Sequence, residues 1–200
     1  MSASKDIQLA ELESLASNGF LAVGIDNVGH GDRQYTDFDA RFSEDNQNRL
    51  QNIINAVNAT ADEIGLIIDY LVSNKIANES SIGIAGISMG AFIAYKIPTL
   101  DHRVKTISAI LGSPEHSFTN MNNYVKQYDS ISLLSQNAAK DNLVSPCKAR
   151  NLHHKLKKSF KNYNERFKYI EYQNSGHFME EADWIQCWDL NLEWFKKMLQ

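Results

Sequence analysis

Apolar residues recur along this chain in two rhythms, one helical and one of short unbroken runs. Between residues 6 and 17, Leu9, Leu12, Leu15 and Ala16 fall at helical spacing, with Ser4 placed to cap the helix and Asn18-Gly19 placed to stop it. From 49 to 73, Ile54, Val57, Ala61, Ile64, Ile68 and Leu71 recur at alternating three and four spacing and predict an apolar helical face against a sheet. Asn58 and Gly65 are weak helix formers, so this stretch reads as one long helix or two. Near the C-terminus, Trp184, Trp188, Leu192, Phe195 and Leu199 make an aromatic stripe that reads as core.

The second rhythm is a set of compact apolar runs at 20–25, 81–85, 104–111, 131–135 and 167–172, each bounded by turn residues and each suited to a buried strand. A helix is predicted after residue 90 and another from 148 to 159. Helix and strand therefore alternate, which predicts an α/β fold with a mainly parallel sheet and helices on both faces. The rhythm is lost from 112 to 130. Phe118, Met121, Tyr124 and Tyr128 there fit either a small cap whose aromatics line an acyl pocket or a short packing helix.

Composition narrows the class of protein. With 200 residues, 43% hydrophobic and 22% charged, the chain reads as a single globular domain, 1–200, with one sizeable core. A net charge of -4 gives no footprint for nucleic acid or an anionic membrane, and the basic stretch from Lys155 to Lys168 reads as a solvated helix face. Cys147 and Cys187 are the only cysteines, and their spacing suits neither a disulfide framework nor a zinc site. No signal segment or membrane-spanning run is evident, and the expected compartment is a reducing cytoplasm.

The candidate chemistry lies where predicted strands end. Gly86-Ile87-Ser88-Met89-Gly90 has the form G-x-S-x-G between a predicted strand and a predicted helix, the setting in which a serine hydroxyl is thrust clear of a sheet. Serine needs a base to become nucleophilic, and the base is commonly a histidine oriented by a carboxylate. Asp141 and His177 both follow predicted strands on loops, in the order Ser, Asp, His. Asp129 and Glu171 are rival carboxylates without the D-x-x-V-x-P surroundings of Asp141, and His102, His116, His153 and His154 lack the glycine turn of His177. His30, in the turn after the first predicted strand, reads as either a backbone-satisfying turn residue or a site residue.

Taken in series, Asp26-Asn-Val-Gly-His-Gly31, Gly86-Ile-Ser-Met-Gly90, the run from Arg103 to Pro114, Asp141-Asn-Leu-Val-Ser-Pro146 and Ser175-Gly-His177 resemble the α/β-hydrolase superfamily, in particular small esterases related to dienelactone hydrolase and the prolyl-oligopeptidase catalytic domain. The resemblance implies Ser88 as nucleophile, Asp141 as acid, His177 as base and the Met89 backbone N–H as one oxyanion donor; no cofactor and no metal are expected. The sequence departs from that pattern in lacking the N-terminal strands, the last of which ordinarily sits between the strands at 20 and 81 and ends in a loop carrying the second oxyanion donor. Ala91 also stands where relatives often have glycine.

The expected function is cleavage of a carboxylic ester of a small or medium substrate through an acyl-enzyme intermediate, with thioester and peptide substrates sharing the same machinery. The competing expectation is an impaired or non-catalytic hydrolase-like binding domain, in which a sheet with an open slot recruits a second copy as a homodimer.

Overall fold

The computed structural model describes residues 3–114 and 124–200, and the chain divides into two compact units, Met1–Ile64 and Gly65–Gln200. The boundary falls within a helix.

In the first unit, helix α1 (Leu9–Ser17) follows a short 3-10 turn, Lys5–Gln8. Ser4 makes no side-chain cap on that turn; its hydroxyl bonds Asp6 instead. Gly19, at φ +87°, closes α1 as predicted, with Asn18 and Gly19 N–H groups donating to Leu15 and Ala16 carbonyls. The predicted strand at 20–25 does not form. These residues enter no ladder among the described residues, and Leu21 and Val23 are 57% and 48% exposed. An apolar run signals extended backbone, whereas a strand also needs a neighbour for its N–H and C=O groups.

The turn after that run is closely built. Gly29 and Gly31 have φ of +80° and +56°, and a Cβ at either would overlap the Tyr35 ring or the Asp26 carboxylate. Asp26 accepts from the Lys5 backbone N–H (2.6 Å), the Lys5 ammonium (3.1 Å) and the Asp32 N–H (3.0 Å), and these bonds hold its pKa below the usual carboxylate value. Beyond it lie α2 (Phe38–Phe42) and the first part of α3 (Arg49–Ser73). Asn58 and Gly65 do not interrupt α3, which is one helix of 25 residues. Its buried positions in this unit are Ala56, Val57, Thr60 and Ala61.

The second unit is built on a four-stranded parallel sheet, β1 (Ile82–Ile87), β2 (Val104–Ile110), β3 (Ser132–Ala138) and β4 (Phe167–Tyr172), in the order β1-β2-β3-β4. Between β1 and β2 runs α4 (Met89–Lys96); between β3 and β4 lie α5 (Cys147–Ser159) and the single turn α6 (Tyr163–Arg166); α7 (Glu181–Leu199) closes the chain. β1 is an edge strand among the described residues.

Alternation along β3 shows which helix covers which face. Ser135 accepts from the Tyr95 hydroxyl of α4 and contacts His153 of α5, both at 2.8 Å, whereas the next residue, Gln136, donates to the Cys187 carbonyl of α7 at 3.0 Å. Helices therefore lie on both faces. β3 also runs three residues past its predicted end, through Gln136, Asn137 and Ala138. Polarity suggested a loop there, but Gln136 also accepts from the Tyr172 hydroxyl (2.7 Å), and Asn137 donates to the Gly112 carbonyl (2.9 Å). Gln136 is thereby paired at both amide atoms, which offsets the cost of burying them.

Ile110, Leu111, Ala138, Tyr172 and Cys187 form a buried cluster at the strand ends, with Ile87, Trp184 and Trp188 packed against it. Full burial of such side chains is worth about 1.5–3 kcal/mol each for the larger aliphatics. The deepest face of α7 is Cys187, Asn191, Trp194 and Phe195, rotated from the predicted stripe, whose Trp184 and Trp188 are partly buried against the cluster. Of the predicted cap, Phe118 and Met121 lie outside the described residues. Tyr124 and Tyr128 are core: they bond each other, Tyr124 donates to the Tyr95 carbonyl at 2.9 Å, and Tyr128 packs against Phe167.

Candidate active site

Ser88 sits between β1 and α4 at φ 52°, ψ -110°. Left-handed φ is costly for a residue with a side chain, and such strain is concentrated at functional positions. The surroundings enforce it. The Ser88 N–H donates to the Ile110 carbonyl (2.9 Å), and its own carbonyl receives the Ala91 and Phe92 N–H groups. Gly86 has no alternative, since a Cβ there would overlap the Gly90 carbonyl. Gly90 itself is free of that constraint, with nothing within 4 Å of where its Cβ would lie. Ala91 is accommodated by a glycine elsewhere, because Gly112 leaves room for its methyl group.

The other two predicted residues reach the serine from the ends of β3 and β4. The loop after β3 carries Asp141, whose side chain is fully buried; its Oδ1 accepts the Leu143 and Val144 N–H groups at 2.9 and 2.8 Å. The loop after β4 carries His177. Its Nδ1 lies 2.8 Å from Asp141 Oδ2, and its Nε2 lies 2.9 Å from Ser88 Oγ. An ionised carboxylate only accepts, so Nδ1 carries the proton and the Nε2 lone pair faces the serine hydroxyl. The distances fall within the range for a nucleophile, its base and an orienting acid.

Parallel pairing explains why three distant residues meet. Strands running the same way end at one edge, so the residues that follow β1, β3 and β4 share it. The two partner loops are tied together: Lys140 N–H donates to the Ser175 carbonyl (3.0 Å) and Ala139 N–H to the Tyr172 carbonyl (2.9 Å). Ser175, fully buried, donates to Asp183 (2.6 Å) and accepts from the Glu180 N–H (3.0 Å), fixing the turn into α7. The Leu143 and Val144 donors and the Ser175 brace were not anticipated from sequence. The turn residues around Asp141 and the Ser-Gly preceding His177 were the available signals.

As first residue of α4, Met89 points a backbone N–H out of the helix start, and it has no hydrogen-bond partner among the described residues. That leaves it free to serve a developing oxyanion.

The rival residues are engaged elsewhere. Glu171 pairs with Arg150 (2.7 Å) and accepts from Tyr169 (2.5 Å). His153 is buried between Ser135 and Tyr163, each at 2.8 Å, and burial pushes its pKa down to about 3. His30 contacts the Val28 carbonyl (3.2 Å) and packs against Phe38 and Phe42, with burial lowering its pKa. His102 and His154 are exposed, and His116 lies outside the described residues.

The chain resembles the crystal structure of TT1662 from Thermus thermophilus, with a TM-score of 0.76 at 17% identity over 98% of this chain and 86% of that one. It resembles esterase PE8 with a TM-score of 0.69 at 14% identity, over 99% and 88% of the two chains. Acylaminoacyl peptidase from Pyrococcus horikoshii matches with a TM-score of 0.56 at 15% identity, over 76% of this chain and 29% of the peptidase. The chain has an α/β-hydrolase fold. No protein-family profile matches it, and no curated protein matches it in sequence. At these identities the α/β-hydrolase likeness speaks to architecture, and the chemistry rests on the site. No helix among the described residues is long and apolar enough to cross a membrane.

Proposed function

We propose that this protein is a serine hydrolase that cleaves a carboxylic ester of a small or medium substrate. The observation that carries the reading is the continuous relay from Ser88 Oγ through His177 to Asp141, at 2.9 and 2.8 Å, with the serine held at positive φ. Ser88 Oγ attacks the ester carbonyl while His177 Nε2 takes its proton. Asp141 keeps the imidazole in the required tautomer and stabilises it once charged. The Met89 N–H donates to the tetrahedral oxyanion, His177 returns the proton to the leaving alcohol oxygen, and an acyl-Ser88 ester remains. Water activated by the same imidazole then releases the acid. Support from outside the site comes from the α/β-hydrolase fold and its likeness to esterase PE8.

The second reading, an impaired hydrolase-like domain, draws support from the edge position of β1, which leaves Met89 as the oxyanion donor identified among the described residues. Loss of one such donor costs about 3 kcal/mol, or a hundredfold or more in kcat. A fluorophosphonate probe tests the leading reading directly. The wild-type protein is expected to be labelled on Ser88 and Ser88→Ala to remain unlabelled; equal labelling of the two overturns it.

A further inference from the structure

Phe178 is 88% exposed, more than any other large apolar side chain among the described residues. Single exposed apolar residues are ordinary on protein surfaces, so exposure alone assigns nothing. What sets Phe178 apart is its neighbour: its ring meets the His177 imidazole edge to face, with centroids 5.8 Å apart and planes at 89°.

Geometry fixes which half of an ester would pass that ring. In the tetrahedral intermediate the former carbonyl carbon bears Ser88 Oγ, the oxyanion, the leaving oxygen and the acyl group. The oxyanion turns toward the Met89 N–H. The leaving oxygen must approach His177 Nε2 to be protonated, because Nδ1 is taken by Asp141. The group attached to the leaving oxygen therefore lies on the His177 side of the intermediate, and Phe178 is the residue whose ring meets that imidazole. Leu143, 66% exposed, stands two residues beyond Asp141 on the adjoining loop, where its N–H holds the carboxylate. An exposed aromatic ring favours flat apolar groups that can stack on it or meet it edge to face.

We propose that Phe178 binds the alcohol half of the substrate, and that the preferred substrates are esters of aromatic alcohols. The inference rests on the hydrolase reading above. The test compares benzyl, cyclohexylmethyl and ethyl acetates, whose leaving alcohols are of one chemical type, and a second series of benzyl esters with acetyl, butyryl and hexanoyl groups. The wild-type protein is expected to favour benzyl over ethyl acetate in kcat/KM by about tenfold, chiefly through KM. In Phe178→Ala that ratio falls toward one while ratios within the acyl series hold; Phe178→Trp restores the preference. The proposal is overturned if Phe178→Ala keeps the alcohol preference, depresses all esters alike, or changes the acyl ratios instead. A wild-type protein that takes up fluorophosphonate yet shows no alcohol preference defeats this inference alone. One that takes up none defeats the hydrolase reading with it.

Discussion

Two serine–histidine pairs lie in the same sheet unit, and their hydrogen-bond geometry is nearly the same. Ser88 Oγ is 2.9 Å from His177 Nε2, and Ser135 Oγ is 2.8 Å from His153 Nε2. The third partner differs. At the strand ends His177 Nδ1 meets a buried carboxylate, whereas in the core His153 Nδ1 meets the Tyr163 hydroxyl. Ser135 also accepts from Tyr95, giving a chain of protons from Tyr95 through Ser135 to His153 in which every member stays neutral. Backbone placement differs as well: Ser135 lies within a paired strand, fully buried, while Ser88 stands alone at a strained turn. A serine beside a histidine is thus no sign of catalysis by itself. A buried carboxylate able to stabilise imidazolium separates the pair proposed to be reactive from the structural one.

The sharpest way to break this contrast is to remove the carboxylate. Asp141→Asn keeps the shape but lets an amide N–H donate to Nδ1, turning the imidazole to the tautomer that cannot accept from serine. A fall in kcat of about 10⁴ is expected. Tyr163→Phe, which removes the third partner of the core pair, is expected to leave kcat within about twofold while lowering stability by about 1 kcal/mol, or more if Nδ1–H is left unsatisfied. Steady-state rates on one ester, with urea midpoints for each variant, check both. Equal losses of activity would abolish the distinction.

Protonation sharpens the same comparison with a smaller effect. Burial holds the His153 pKa at about 3, below the ordinary histidine value of about 6.5. Below pH 6.5 the unfolded chain takes up a proton that the folded chain refuses until about pH 3. The folded state is therefore penalised progressively as pH falls through that window, and the full stability is present above it. The slope from this group approaches about 1.4 kcal/mol per pH unit. Urea midpoints at pH 7 and 4.5 are expected to fall further for the wild-type protein than for His153→Gln, which cannot titrate. An identical fall in both would show that His153 does not carry the acid sensitivity.

These two pairs also show what could be read from the chain beforehand. Ser88, Asp141 and His177 were legible because each follows an apolar run at a turn, and parallel strands bring such turns to one edge. The core pair was not, since Ser135 and His153 are joined by the packing of α5 on β3 and by nothing local. The polar end of β3 was hidden for the same reason: Gln136 and Asn137 look like loop residues until Cys187, Tyr172 and Gly112 supply their partners. The converse holds at 20–25, where an apolar pattern is present and no described strand lies beside it to pair with. Pattern reports what a segment can bury; pairing depends on what lies beside it.

The G-x-S-x-G signature itself yields the smallest predicted effect. Its two glycines look equivalent in sequence, but a Cβ at Gly86 would meet the Gly90 carbonyl, while one at Gly90 would meet nothing within 4 Å. Gly90 lies inside α4 and is not at positive φ, so alanine is compatible with its backbone and restricts the unfolded chain more. Gly90→Ala is expected to change stability by less than about 1 kcal/mol, in the stabilising direction, with fluorophosphonate labelling retained. Gly86→Ala is expected to be destabilising and to slow labelling, because the carbonyl it displaces belongs to the first turn of the helix that holds Ser88 in place. Thermal midpoints and labelling rates for the two variants decide the matter: comparable losses at both positions would mean that the turn needs each glycine for its flexibility, and not Gly86 alone for the close approach of backbone to backbone.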